Sequence, residues 1–339
     1  MKVLILATGG TITMASSPQG FTPRGEVLET FLRRDPRFQH PHLPAFEVEY
    51  LEPLKDSATL RPADWQAMAQ RIAAAQADFQ GVVVLHGTDT MAYTASALAF
   101  LLENLAQPVV LTGSQLPLGE IRSDGPDNLL AALLTAASAN VPEVVLVFGH
   151  RILRGCRATK VDASGFCAFD SPNFPHLGSL GVQLTLHREH LRPMPSQPFQ
   201  LHTLNPEVRV GALRLFPGIN ASFLANVLRS PLQGLVLETY GMGNGPSDDL
   251  ALLRTLERAS RRGVTLVNCT QCLRGTVDPD GYATGHALAQ VGVLSGGDMT
   301  VEAALTKLLF LLSTAPSPQA VRYLMEEDLR GERTLYNKE

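Results

Sequence analysis

The chain has 339 residues, of which 45% are hydrophobic and 18% are charged, so it can bury a large core in about two domains and is not disordered. Its formal net charge of −4, without a basic block, argues against a nucleic-acid or anionic-membrane partner, and no apolar run of about 18 residues is present to span a bilayer. Four cysteines are too few for a disulfide framework and the apolar run after Met1 is too short for a signal peptide, so a cytoplasmic protein is expected.

Short apolar runs alternate with helical patterns from the N-terminus to Phe148. The first run, Val3–Ala7, predicts a buried strand, and the alternation of Phe46, Val48 and Tyr50 with glutamates predicts a half-exposed one. The elements predicted next are a helix from Pro62 to Ala75, a strand at Val82–Leu85, a helix from Met91 to Leu105, a strand at Val109–Leu111, a helix at Asp127–Ala139 and a strand at Val144–Phe148. This alternation predicts an α/β fold with a mostly parallel sheet flanked by helices.

A proline-rich stretch separates this part of the chain from the rest. Residues 191–207 begin with Leu191-Arg192-Pro193-Met194-Pro195 and have no periodicity, which predicts an interdomain linker. The elements predicted beyond it are strands at Arg209–Leu215, Leu235–Leu237 and Val264–Val267 and helices at residues 219–229, 248–262 and 300–314. We therefore expect a larger N-terminal α/β domain over residues 1–190 and a smaller C-terminal α/β domain over residues 208–339.

Polar clusters directly follow three predicted strands. They are Thr8-Gly9-Gly10-Thr11, Asp56-Ser57 and His86-Gly87-Thr88-Asp89-Thr90. Taken singly, the glycine pair is an ordinary tight turn, and Asp89 or Thr90 simply caps the next helix. Because the carboxyl ends of parallel strands border the crevice in which such sheets bind ligands, we expect the three clusters to converge on one site.

Lys160 is a further candidate, although a solvated surface lysine is the alternative. The chain has only five lysines among its 28 basic residues, so an arbitrary surface cation would usually be arginine. A buried lysine can lose its proton and act as a base, which arginine cannot do.

The motif Cys269-Thr270-Gln271-Cys272 has the spacing of half a zinc or redox site. A zinc site needs a second pair of ligands, and none with suitable spacing is present. Two cysteines at the end of a buried strand are therefore the preferred interpretation, and no metal site is expected.

Taken together, the motifs resemble the paired signatures of the bacterial type I, cytoplasmic L-asparaginases. The resemblance covers nearly the whole chain and rests on Thr8–Ile12, His86–Met91, Leu111–Gln115, Arg122–Gly125, Tyr240–Asn244 and Gly281–Gly285. It implies an N-terminal α/β domain that holds most of the site and a smaller C-terminal α/β domain. It also implies hydrolysis of L-asparagine to L-aspartate and ammonia, without a metal or cofactor, by a homodimer or homotetramer.

The resemblance also implies a role for each candidate residue. Thr11 would be the nucleophile that forms an acyl-threonine ester, and Thr88, Asp89 and Lys160 would form a group that relays a proton. These residue types suit the chemistry, because a neutral hydroxyl is a poor nucleophile and needs a nearby base. The residues implied to bind the substrate's α-carboxylate and amino group are Asp56, Ser57, Thr88 and Asp89.

Three positions depart from the family's pattern. Phe21 stands where many relatives have a tyrosine that helps to activate the nucleophile, and Tyr282 is the candidate substitute. Glu238 stands where relatives with allosteric asparagine binding have an arginine, so allosteric activation through this position is not expected. Ala58 replaces a residue that is often polar, which is expected to loosen the carboxylate pocket.

Two alternative functions stay open. A glutaminase or a mixed asparaginase/glutaminase would use the same site, although the tRNA-linked glutamine-hydrolysing relatives have an extra N-terminal domain and here the first strand starts at Val3. A non-catalytic amino-acid sensor is disfavoured, because both threonines, Asp89 and Lys160 are present.

Overall fold

The computed structural model describes residues 2–17, 20–138, 140–278 and 283–335. The chain forms two compact units, Met1–His202 and Thr203–Glu339. Both units are α/β, so the predicted fold class with two α/β domains is confirmed. Among the described residues, no helix is both long enough and apolar enough to cross a membrane.

The first unit is built around one large sheet. Its strands are β1 (Lys2–Gly9), β2 (Met14–Ser17), β3 (Gly20–Pro23), β4 (Phe46–Lys55), β5 (Phe79–Leu85), β6 (Leu102–Glu103), β7 (Val109–Thr112), β8 (Val144–Phe148), β9 (Arg151–Arg154), β10 (Thr159–Lys160), β11 (Phe169–Asp170), β12 (Gly178–Leu180), β13 (Leu184–Leu186) and β14 (Gln200–Leu201). Its helices are α1 (Gly25–Arg34), α2 (Pro62–Ala75), α3 (Met91–Leu101) and α4 (Gly125–Ala136). The spatial order of the eight-stranded sheet is β13-β12-β9-β8-β7-β5-β1-β4.

The central strands are apolar along their length because helices cover the sheet. Val3, Ile5 and Ala7 of β1 belong to a core cluster that includes Leu28 of α1 and Leu133 of α4. Successive residues of a strand point to opposite faces, so the intervening residues of β1 face the other side of the sheet. The remaining helices of this unit, α2 and α3, contact β5, β7 and β8.

The order of the parallel strands determines where a ligand crevice forms. Strands β4, β1, β5, β7 and β8 are parallel, and the chain passes from β1 outward to β4 before it returns to β5 on the other side of β1. This reversal makes the carboxyl ends of β1 and β5 the topological switch point, which is where open α/β sheets bind ligands.

Three strands at one edge of the sheet were not predicted. Strands β9, β12 and β13 are short and antiparallel to their neighbours. The turn from β8 to β9 places Gly149 and His150 at φ 56° and 66°, which is the backbone of a two-residue hairpin turn. The helix predicted over Met91–Leu105 ends at Leu101, because the next two residues form β6 and pair with β14.

The second unit has a four-stranded parallel sheet. Its strands, in both chain and spatial order, are β15 (Val210–Arg214), β16 (Gly234–Thr239), β17 (Thr265–Thr270) and β18 (Val293–Ser295). Its helices are α5 (Ala221–Val227), α6 (Leu250–Arg261), α7 (Ala283–Gln290), α8 (Val301–Thr314) and α9 (Pro318–Glu326). Helices α1, α7 and α9 were not predicted.

The second unit also contains a fully buried ion pair. The carboxylate of Glu332 lies 2.5 Å from the ammonium of Lys307 in α8.

The stretch predicted to be a linker is partly folded onto the first unit. Residues 191–202 belong to that unit, and Gln200 and Leu201 pair with Glu103 and Leu102. Domain boundaries at residues 190 and 208, with a separate linker over 191–207, stay a prediction.

Candidate active site

The carboxyl ends of four neighbouring strands lie at one edge of the sheet. Gly9 of β1 pairs with Lys55, the last residue of β4. Ala7 of β1 pairs with Leu85 at the end of β5, and Leu85 pairs in turn with Thr112 at the end of β7. The loops that follow these strands therefore leave from the same edge of the sheet, as the sequence predicts.

The loop after β1 is pressed against the loop after β5. Gly10 has φ 80°, a backbone conformation that residues with a side chain rarely adopt. A Cβ atom there would lie 2.2 Å from the backbone nitrogen of Gly87. The Gly10 N–H donates to the carbonyl of Lys55 at 3.0 Å, which ties the same loop to the end of β4. A short 3₁₀ turn, Thr11–Thr13, then presents Thr11.

The loop after β4 carries Asp56 and Ser57. The Asp56 carboxylate accepts the Ala58 N–H at 2.9 Å and so caps a 3₁₀ turn at Ser57–Thr59. Ser57 is buried, and its carbonyl accepts the hydroxyl of Thr90 at 2.8 Å. The hydroxyl of Thr90 therefore links the loops after β4 and β5 rather than capping α3.

The loop after β5 meets Lys160. The Lys160 ammonium donates to the Thr88 hydroxyl at 2.9 Å and to an Asp89 carboxylate oxygen at 2.8 Å. Lys160 does not come from the main sheet: it lies on β10, which pairs with Phe169 and Asp170 of β11 in a two-stranded ribbon. The Lys160 side chain is 20% exposed, whereas that of Asp89 is 66% exposed.

These loops enclose a cavity of about 220 Å³ that contains every predicted site residue. It is lined by Gly10, Thr11, Met14, Asp56, Ser57, Gly87, Thr88, Asp89, Gln115, Lys160 and Ala163. Two threonine hydroxyls, two carboxylates and one ammonium thus share a single small space. Such a site suits a small ligand with both charges, and an acyl group attacked by a hydroxyl.

Three lining residues, Met14, Gln115 and Ala163, belong neither to the predicted site residues nor to the polar clusters predicted to converge. Gln115 follows β7 at the same edge as the other clusters, so the rule that located Thr88 and Asp89 would also have located it. Met14 and Ala163 carry no chemical signal that sequence reasoning could use. The hydrogen bonds of His86, two residues before Thr88, were also not predicted.

A buried histidine supports the loop from below. His86 is fully buried; its Nδ1 lies 2.7 Å from the Gly87 carbonyl and its Nε2 lies 2.8 Å from the Thr94 hydroxyl. The Gly87 carbonyl can only accept, so Nδ1 carries a proton and donates it to Gly87. Burial lowers the pKa of His86 to about 4, so the imidazole is neutral and its unprotonated Nε2 accepts the Thr94 hydroxyl. Thr94 in turn accepts the Trp65 indole N–H at 3.0 Å.

Several residues singled out in the sequence lie elsewhere or outside the described part of the chain. Cys269 is buried in β17 and Cys272 is exposed just beyond it, and within the described residues no group of three or more His, Cys, Asp or Glu side chains is placed to hold a metal ion. Glu238 lies on β16, and its carboxylate lies 3.7 Å from a guanidinium nitrogen of Arg214. Phe21 lies on β3, opposite Ser16 of β2. Tyr282 lies outside the described residues.

The fold and the cavity define an α/β protein with a polar site at its topological switch point, in which two threonines adjoin a lysine–aspartate pair. The family model described as "Asparaginase, N-terminal" matches residues 2–192, and that of the "Glutaminase/Asparaginase C-terminal domain" matches residues 209–325. The chain belongs to the asparaginase family. The resemblance read from the motifs is thereby confirmed.

The chain is also similar to individual proteins over nearly its whole length. The chain is 47% identical to "L-asparaginase 1" of Escherichia coli over 98% of each protein. It is similar to the structure of L-asparaginase I from Vibrio cholerae, with a TM-score of 0.89 and 45% identity over 98% of this chain and 99% of that one. It is also 44% identical to the "60 kDa lysophospholipase" of Mus musculus, over 98% of this chain and 63% of that longer protein.

We expect His86 to make the stability of the fold depend on pH. Its pKa is about 4 in the folded protein, against an ordinary value of 6.5, so between these values only the unfolded chain binds the proton. The contribution of His86 to the free energy of unfolding should therefore fall as the pH falls through this window, by ~3 kcal/mol in total. Urea denaturation at a series of pH values measures this.

The variant His86→Gln should lose this contribution. Its free energy of unfolding should decrease by ~3 kcal/mol less than that of the wild type when the pH falls from about 7 to about 4. His42→Gln, which replaces an exposed imidazole, is the matched control and should keep the wild-type pH dependence. Identical pH dependence in His86→Gln and the wild type would refute the neutral, buried state.

Proposed function

We propose that the protein is an L-asparaginase that hydrolyses L-asparagine to L-aspartate and ammonia through an acyl-enzyme on Thr11. The observation that carries the proposal is the single cavity that unites Thr11 with Thr88, Asp89 and Lys160. The similarity to proteins named L-asparaginase over nearly their whole length supports it.

In the proposed first step, the Thr11 oxygen attacks the side-chain carbonyl carbon of asparagine. The proton that Thr11 loses reaches the amide nitrogen, the C–N bond breaks, and ammonia departs. An aspartyl ester then remains on Thr11. Water then attacks the ester, which releases aspartate and restores the Thr11 hydroxyl. Thr88 and Lys160, joined at 2.9 Å, are proposed to accept and return the proton in both steps.

Backbone groups at the start of α3 are suited to the negative charge that develops. Within the described chain, the N–H groups of Thr88 and Asp89 donate to no backbone acceptor. Both residues precede the first residue of α3, where the helix dipole also favours an anion. We propose that these groups stabilise the oxyanion or the α-carboxylate of the substrate.

The lining of the cavity favours an amino acid over a lipid. Asp56, Ser57 and Asp89 are proposed to bind the charged α-groups of the substrate, with Thr88 beside them. The lining residues with fully apolar side chains are Met14 and Ala163, whereas a fatty acyl chain needs an apolar pocket. We therefore propose no lysophospholipase activity for this chain.

Assembly and location are proposed on the similarity alone. The resemblance to type I asparaginases supports a cytoplasmic homodimer or homotetramer. The mass of the purified protein, measured by light scattering, distinguishes these two states, and a monomer would contradict the proposal.

The substrate is tested by parallel assays with L-asparagine, L-glutamine and a lysophosphatidylcholine. We expect ammonia from asparagine with a kcat/KM at least about tenfold above that for glutamine, because one extra methylene in a fitted pocket costs about 1–3 kcal/mol. No fatty acid should be released from the lipid. Equal values for the two amides would favour a glutaminase or mixed enzyme, and no ammonia from either would favour a sensor.

The proton relay is tested by two substitutions of Lys160. We expect Lys160→Arg to lose about a hundredfold or more in kcat and to be nearly as inactive as Lys160→Met, because arginine keeps the charge but does not give up a proton. Lys2→Arg is the matched control, since Lys2 also forms an ion pair, with Glu47 at 2.6 Å, outside the cavity.

The two variants together distinguish three roles of Lys160: proton relay, charge balance and surface residue. If Lys160 only balanced the charge of Asp89, Lys160→Arg would keep most of the activity while Lys160→Met lost it. If Lys160 were a solvated surface residue, both variants would match the wild type. Circular dichroism of each variant establishes that the comparison is made between folded proteins.

A further inference from the structure

Gln115 lies in the cavity on a firmly held loop. The Asp124 carboxylate accepts the backbone N–H of Gln115 at 2.9 Å and that of Leu116 at 3.1 Å. The Asn128 amide, which also donates to the Gly113 carbonyl at 3.0 Å, donates to the same carboxylate at 3.1 Å. The loop after β7 therefore presents Gln115 in one position.

The side chain of Gln115 has a defined orientation. Its Nε2 donates to the Gly165 carbonyl at 3.1 Å, and its Oε1 accepts the hydroxyl of Thr88 at 3.2 Å. The flipped amide would place Oε1 against a carbonyl oxygen, which has no proton to share. Gly165 is itself fixed, because its N–H donates to the Asp162 carboxylate at 2.9 Å.

This orientation determines where the proton of Thr88 points. A threonine hydroxyl has one proton, and here it is donated to Gln115. The Thr88 oxygen can then only accept a hydrogen bond from Lys160, and the Lys160 ammonium is the donor. For Thr88 to pass its proton to Lys160, the hydroxyl must turn from Gln115 to the lysine nitrogen, and that nitrogen must be unprotonated.

We infer that Gln115 is a positioning residue that holds the Thr88–Lys160 pair in the arrangement with lysine charged, and so sets the pH at which the relay becomes active. The inference rests on the proposed function, because this arrangement matters only if Thr88 and Lys160 transfer a proton. Gln115 acts through Thr88, and no contact with the reacting atoms is assigned to it.

The other charged groups around the pair stay the same when Gln115 is changed. They are Asp89, which is bonded to Lys160; Asp56, which lines the cavity; Asp124, which holds the Gln115 backbone; and Asp162, which holds Gly165. His86 lies below Gly87 and is neutral. A shift in the pH dependence of activity upon substitution of Gln115 is therefore attributable to Gln115 itself.

The experiment measures kcat/KM for asparagine as a function of pH in the full-length wild type and in two variants. In Gln115→Leu the Thr88 hydroxyl is free to turn toward Lys160. The acidic limb of the profile of kcat/KM against pH should therefore move to lower pH. In Gln115→Glu an oxygen replaces Nε2, so the carboxylate is repelled by the Gly165 carbonyl and turns toward Thr88 and Lys160. It adds negative charge near the ammonium, so the acidic limb of the pH profile should move to higher pH. Each shift should be roughly half a pH unit or more.

Gln39→Leu is the matched control. Gln39 is exposed and donates to the Leu32 carbonyl at 2.9 Å, so the substitution removes a similar hydrogen bond outside the cavity. Its pH profile should be that of the wild type.

Opposite shifts in the two Gln115 variants support the inference. A lower kcat/KM at every pH with an unmoved acidic limb, or shifts of both variants in one direction, would overturn it and leave Gln115 a structural residue. Failure of the proposed function would show differently, since the wild type itself would then release no ammonia from asparagine.

Discussion

The site depends on the approach of two backbones, at Gly10 after β1 and Gly87 after β5. A Cβ on Gly10 would lie 2.2 Å from the Gly87 nitrogen, and one on Gly87 would lie 2.5 Å from the Ser57 hydroxyl oxygen. Neither position has room for a side chain. Because both residues are glycines, the loops after β1, β4 and β5 can close around one cavity. The two threonines lie directly after these glycines, so the glycine contact also places the hydroxyls.

Hydrogen bonds between side chains and loops hold this arrangement in place. The loop after β5 is held by His86 from below and by the hydrogen bond from Thr90 to Ser57 at its side. The loop after β7 is held by Asp124. Lys160 reaches the cavity from a separate two-stranded ribbon and is secured there by its bonds to Thr88 and Asp89. Hydrogen bonds thus set the geometry of the candidate site in advance, as electrostatic catalysis requires.

Much of this could be predicted from the sequence, because the relevant signals are local. Apolar runs located β1, β5, β7 and β8, and their parallel order implied that Thr11, Asp56 and Thr88 would meet at one edge. The antiparallel strands β9, β12 and β13 were missed, since they are only three or four residues long and have no clear periodicity. Gln115 was not predicted as a site residue, because the motif Leu111–Gln115 contributed only to the resemblance to the family.

Other features depend on contacts between residues distant in sequence. His86 is buried beside Thr94, which also accepts a hydrogen bond from Trp65 on a different helix, and no sequence spacing reveals that such a histidine is buried and neutral. Lys160 could be chosen by residue type, but its place beside Thr88 follows from the pairing of β10 with β11. Helix α3 was predicted to be too long. Leu102 and Glu103 pair with β14, although the apolar residues up to Leu105 have helical spacing.

The central claim is that Thr11 carries the acyl group during turnover. Acid quenching of the enzyme at work on asparagine, followed by digestion and mass spectrometry of the fragments, locates such an ester directly. The account predicts an aspartyl ester on the fragment that contains Thr11 and none in Thr11→Ala, which should be nearly inactive. An ester on the fragment that contains Thr88, or turnover by Thr11→Ala above roughly a tenth of the wild-type value, would contradict it.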